Sequence, residues 1–141
     1  MIQGEWIKMD QKEFREFYRT IQDVAEHPVV LRMKKYPHHG DTSCYKHCMR
    51  VAYFNYIICK KLHLDAKSAA RAGMLHDLFL YDWHTHARET GERLHGFTHA
   101  EKAYKNAGKI FRLNRVERDV IRNHMWPVTL RSVPRTREGW M

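Results

Sequence analysis

The sequence has no apolar run approaching the roughly 20 residues that a helix needs to cross a bilayer, so a membrane-spanning segment is not expected. Its start, Met-Ile-Gln-Gly-Glu-Trp, lacks the apolar core of a secretion signal, and a cytoplasmic location is the expectation. Cysteine is scarce, with three among 141 residues. The odd count, and the placement of Cys44, Cys48 and Cys59 in one expected helix, argue against a disulfide scaffold and for a reducing compartment. Acidic residues are few, 16 against 25 Lys and Arg, which leaves a formal charge of +9. Such a balance favours an anionic partner, either a phosphorylated small molecule or nucleic acid. Strand-like alternation, internal repeats and low-complexity segments are also missing.

What remains is a composition of 43% hydrophobic and 29% charged residues, suited to one globular domain over residues 1–141. Helical spacing dominates it, and the expected architecture is an all-α, single-domain helical bundle. Asp10 with Glu13 has the form of a capping box, and Phe14, Phe17, Tyr18, Ile21, Val24 and Ala25 repeat on one face, predicting a helix from Gln11 to Glu26. A loop is expected through Lys34 to Gly40, punctuated by Pro37 and Gly40. The next helix opens near Asp41 to Ser43 and runs to Leu62, with His47, Val51, Phe54, Ile58 and Leu62 as its inward face. A central helix capped by Asp65 carries Ala66, Ala69, Ala70, Ala72 and Gly73, small enough to let neighbours approach, and ends near His76-Asp77. The stretch to Leu94 reads mostly as loop. Capping boxes at Thr98 with Glu101 and at Asn114 with Glu117 open two further helices, the second stopped by Pro127.

Eleven histidines are the distinctive feature. A lone buried histidine is usually a satisfied core residue. His47, His76, His99 and His124, however, are each expected to face inward or toward a helix end, from four different helices, beside the carboxylate of Asp77. Several imidazoles and a carboxylate are difficult to bury without a shared cation, and helical bundles build metal sites from facing helices in this way. Mixed imidazole and carboxylate donors suit a divalent transition ion such as Fe, Mn, Zn, Ni or Co.

The pieces His47-Cys-Met-Arg-Val-Ala, Ala72-Gly-Met-Leu-His-Asp-Leu, His99 near its helix start and Val120-Ile-Arg-Asn-His-Met-Trp-Pro resemble the HD-domain metal-dependent phosphohydrolases, in order and spacing, over residues 43–127. The resemblance implies a helical bundle around one or two divalent ions and hydrolysis of a phosphoester or phosphoanhydride, commonly of a nucleotide. It places His47, His76 and Asp77 at a first metal, and His99 and His124 at a second, with His95 a rival for the role of His99. It also implies a closing Asp on a further helix, whereas no Asp follows Asp119. Water, Glu138 or another subunit could supply that ligand, or the chain could be cut short. A site with one carboxylate fewer would be more open and weaker, which keeps a catalytically impaired nucleotide sensor as the alternative.

For chemistry, Asp77 is expected to bridge ions or accept a proton from water, His76 to act as a ligand, and Arg50 to clamp phosphate, with Lys46, Arg71, Arg122 and Arg131 as further cationic candidates. Asp82, His84 and His86 stand at the expected pocket mouth, and Trp83 and Trp126 offer stacking faces. The basic residues are scattered without a helix-turn-helix or basic-aromatic pattern, which argues against a nucleic-acid partner. A structural zinc site at Cys44, His47 and Cys48 ranks last, because a second ligand pair at short spacing is lacking.

Overall fold

The computed structural model describes residues 9–80, 95–126 and 133–140, without the side chains of residues 39 and 95–97. The order is helix α1 (Gln11–Ala25), a short helix α2 (Pro28–Leu31) running into a 3-10 turn (Arg32–Lys35), strands β1 (Pro37–His39) and β2 (Thr42–Ser43), then α3 (Cys44–Lys61), α4 (Ala66–Leu75), α5 (His95–Ile110), α6 (Arg115–Asn123) and a 3-10 turn (Glu138–Trp140). The fold is all-α, with the antiparallel hairpin β1–β2 its only sheet among the described residues. No described helix is long and apolar enough to cross a membrane.

Four helices start where capping chemistry directs. Asp10, Ser43, Asp65 and Asn114 each accept a backbone N–H of the first turn, and Asn114 with Glu117 forms the complete reciprocal box. Helix α5 is the exception, beginning at His95, ahead of Thr98. A capping pattern is a local preference that a continuing helical ladder overrides. The segment expected as loop from Lys34 is also more ordered. Pro28 sits at the first position of α2, where its fixed φ and missing N–H are tolerated, and the hairpin follows.

Helix α4 lies in the middle, against α3, α1 and α6, while α5 packs on α6. Phe17, Ile21, Met33, Met74, Leu75, Leu78 and Ile121 are fully buried around it. Small residues make the α3–α4 contact close: a Cβ at Gly73 would stand 2.8 Å from the Ala52 Cα and 2.9 Å from its nitrogen. Arg71 ties the layers together, donating from Nε to Glu117 on α6 at 2.9 Å and from Nη1 to Asp23 on α1.

The inward face of α3 differs from the expectation. Phe54, Ile58 and Leu62 are 58%, 43% and 55% exposed, and the buried face is Cys48, Met49, Ala52, Tyr53, Tyr56 and Cys59. The helix is turned by one residue, about 100°. Both stripes are apolar at helical spacing, so periodicity alone did not separate them. Complementarity with the alanines and glycine of α4 favours the face that carries Cys48 and Ala52.

Residues 133–140 are anchored by Asp119. Its carboxylate accepts the backbone N–H groups of Arg135 and Thr136, the Thr136 hydroxyl and the Asn123 amide at 2.7 to 3.0 Å. Burial opposes its ionisation, but these donors hold its pKa below the usual value. A group with a depressed folded pKa contributes stability that is present above its unfolded pKa and lost as pH falls through the folded one. Asp119→Asn should therefore cost about 2 kcal/mol near neutrality, and the gap to wild type should narrow below about pH 4, in denaturant melts taken across pH. Gly73→Ala should lower the urea midpoint by about 1–3 kcal/mol equivalent with an unchanged m-value, because the neighbouring atom is backbone and cannot move aside.

Candidate metal centre

The end of α4 presents the site. His76 is its C-cap residue, and the turn that follows, closed by Leu78 N–H to Leu75 O at 3.1 Å and Phe79 N–H to Asp77 O at 2.8 Å, aims the Asp77 carboxylate into the bundle. Both residues are buried, at 6% and 5% exposure. Two thiols on α3 border the Asp77 peptide from behind: Cys44 Sγ lies 3.5 Å from the Asp77 carbonyl oxygen, and buried Cys48 lies beside the same backbone.

Imidazoles meet both oxygens of Asp77. Its Oδ2 lies 3.2 Å from His76 Nε2, 3.4 Å from His47 Nε2 and 3.6 Å from His38 Nε2. Its Oδ1 lies 3.5 Å from His99 Nε2 and 3.6 Å from His124 Nε2. The rings also approach one another, with His47 and His76 at 3.2 Å between Nε2 atoms and His99 and His124 at 2.9 Å. Five histidines from β1, α3, α4, α5 and α6 thus surround one carboxylate.

The far nitrogens decide which atoms face the centre. His76 Nδ1 lies 2.6 Å from the Gly73 carbonyl and His124 Nδ1 lies 2.7 Å from the Ile121 carbonyl. A carbonyl only accepts, so both Nδ1 atoms carry hydrogen and both rings turn Nε2 toward the centre. Burial opposes charge on His76, but the Asp77 carboxylate overcomes it, and the His76 pKa is raised to about 9. Asp77 is correspondingly held well below the carboxylate range, against its burial, by the imidazoles around it. Burial and the neighbouring His76 push His124 down to about 3, and burial likewise lowers His47. Burial thus favours the neutral form of His47 and His124, while Asp77 favours the charged form of His76.

This donor set fits a divalent ion. His38, His47 and Asp77, and separately His76, Asp77 and His124, place one donor atom each within 4.8 Å of one another. Imidazole nitrogens converging on one buried carboxylate are the donor chemistry that a divalent ion takes. Cys44, Cys48 and Asp77 meet the same distance criterion, but burial pushes the Cys48 thiol well up and so favours its protonated form.

His47, His76, Asp77, His99 and His124 are brought together as the sequence led us to expect. His38 joins them from the presumed loop, and the signal available for it was the adjacent pair His38-His39 before a turn glycine. The backbone of His95 opens α5, while its side chain lies outside the described residues, as do Asp82, Trp83, His84, His86, Pro127 and Arg131. Glu138 does not join the cluster in this structure: its carboxylate accepts the Asp65 backbone N–H at 3.0 Å. Arg71 is engaged by Asp23 and Glu117, and Arg122 pairs with Glu101, which leaves neither as a clamp at this site. Lys46 is exposed, and Arg50 is half-buried one turn after His47. Beside the histidines a cavity of about 280 Å³ is lined by Val51, Asn55, Trp126 and Trp140, with the two indoles edge to face at 6.0 Å.

Comparison with known proteins agrees with this geometry. The "Putative phosphohydrolase YueE" of Bacillus subtilis (strain 168) is 30% identical over 91 residues, 61% of this chain, and the chain spans about half the length of that relative, 48%. No solved structure matches. The family model described as HD domain matches residues 44–137, a span that holds His47, His76, Asp77, His99 and His124, and the chain belongs to the HD domain family.

Proposed function

We propose that this protein is a metal-dependent phosphohydrolase acting on a small phosphate ester or anhydride, with nucleotides the substrates that its pocket suits best. The observation that carries the reading is the convergence of inward Nε2 atoms on both oxygens of Asp77. Proteins of this family bind divalent metals. A divalent transition ion held here, Fe, Mn, Zn, Ni or Co, would supply a water of lowered pKa and a counter-charge for phosphate oxygens.

The chain's own groups have separable roles. His47, His76, His99 and His124 would hold the ion or ions, with ring orientation fixed for His76 by the Gly73 carbonyl and for His124 by the Ile121 carbonyl. The depressed pKa of Asp77 suits a ligand that bridges the two sides more than a proton acceptor. Arg50, one turn from His47 on α3, is the cation we assign to an anion entering beside the centre. The cavity at Trp126 and Trp140 offers an indole face against which a base could stack. The formal charge of +9 adds attraction for a phosphorylated substrate.

The test is phosphate release from a panel of nucleotides and simple phosphate esters by protein reconstituted with each metal. His76→Ala and Asp77→Ala should each lower kcat/KM by at least the ~100-fold that losing an outer-shell partner can cost, and chelation should abolish turnover reversibly. Metal-dependent thermal stabilisation by a nucleotide with no product formed would instead mark a sensor. Arg50→Ala should raise KM about tenfold with a smaller change in kcat, as expected of a residue that holds the anion in both ground and transition states.

A further inference from the structure

We propose that His38, delivered by the β1–β2 hairpin, is a ligand of the metal centre on the Asp77 Oδ2 side. The proposal rests on reading the cluster as a metal centre.

The backbone singles out this residue. Pro37 pairs with Ser43 and His39 with Thr42, so β1 advances two residues where β2 advances one, and His38 is the extra residue of a bulge. A bulge bends its strand and redirects one side chain. Gly40, at φ +55°, closes the turn, and the Cys44 N–H donates to the Tyr36 carbonyl at 2.8 Å, which fastens the hairpin base to the first turn of α3. His47 stands on that same stretch of α3. The hairpin therefore folds back over it.

The side chain meets the centre through two contacts. The His38 ring lies parallel to His47, with centroids 3.7 Å apart and 9° between planes. Its Nε2 lies 3.6 Å from Asp77 Oδ2, against 3.4 Å for His47, so the stacked rings point the same nitrogen at the same oxygen. The donor atoms of His38, His47 and Asp77 lie within 4.8 Å of one another, close enough to converge on one ion. His38 is only 16% exposed at its side chain, although it comes from a surface hairpin.

A centre built this way surrounds one carboxylate with five imidazoles. Fewer anionic oxygens and more nitrogen donors shift preference away from Mg and Ca toward Zn, Co, Ni or Fe. They also leave more positive charge on the bound ion or ions to receive a phosphate dianion.

The experiment measures metal binding by the full chain without any substrate. Zn(II) affinity is taken by competition with a chromophoric chelator, and Co(II) loading is followed by its d–d absorption, for wild type, His38→Ala, His47→Ala and the exposed control His63→Ala. His38→Ala should weaken Zn(II) about tenfold or more and alter the Co(II) spectrum, with circular dichroism unchanged, while His63→Ala does neither. His38→Cys should restore affinity and add a thiolate-to-cobalt charge-transfer band absent from wild type, a signature that misfolding or a merely structural role cannot produce. Unchanged affinity and spectrum in His38→Ala, alongside a loss in His47→Ala, would overturn this assignment and leave the metal centre standing. Failure of wild type to bind either ion would overturn both.

Discussion

One carboxylate organises this protein. Asp77 is buried at the end of the central helix, and an ionised carboxyl in such a place is unfavourable unless charge or hydrogen bonds surround it. The histidines answer that need from every side of the bundle, and their positions constrain the elements that carry them. Helix α4 must end where it does, α5 and α6 must lie side by side so that His99 and His124 meet, and the hairpin must fold back toward α3.

The apolar skeleton and the polar cluster are built from the same contacts. Arg71 crosses from α4 to both α1 and α6 and sets the layer spacing on the side away from the histidines. Asn106 on α5 donates to the Leu78 carbonyl at 2.7 Å, just after the Asp77 turn. The sulfur atoms of Cys44 and Cys48, the residues of the lowest-ranked zinc reading, border the other side of that turn. A turn held at its backbone from two directions keeps a charged side chain in one orientation without using its carboxylate oxygens for the purpose.

Much of this was legible in the sequence, for identifiable reasons. Helix starts at Asp10, Ser43, Asp65 and Asn114 followed from side chains that satisfy their own backbone, a local property that travels with the residue. The small-residue run of α4 announced a close helix contact, and the contact is there at Gly73. The convergence of His47 and His99 came despite a stripe on α3 that faces outward and a capping box that does not open its helix, because chemistry-bearing residues on several helices were read together. The errors have the opposite character. The α3 face turned on packing against α4, and two apolar stripes one residue apart look alike until that contact is known. His38 lay beyond periodicity altogether, since a bulge in a two-residue-wide hairpin leaves almost no pattern. Glu138 was a reasonable carboxylate to consider, but its engagement with the Asp65 N–H depends on where residues 133–140 run, and that course is set by Asp119.

Gly73 connects the bundle's tightest packing point with its chemistry. The residue that lets α3 and α4 touch is also the one whose carbonyl fixes the proton on the back of the His76 ring. A change in interhelix distance is therefore transmitted within a single peptide unit to the tautomer of a buried imidazole. A side chain at that position would press on α3 and displace the same peptide that orients the ring.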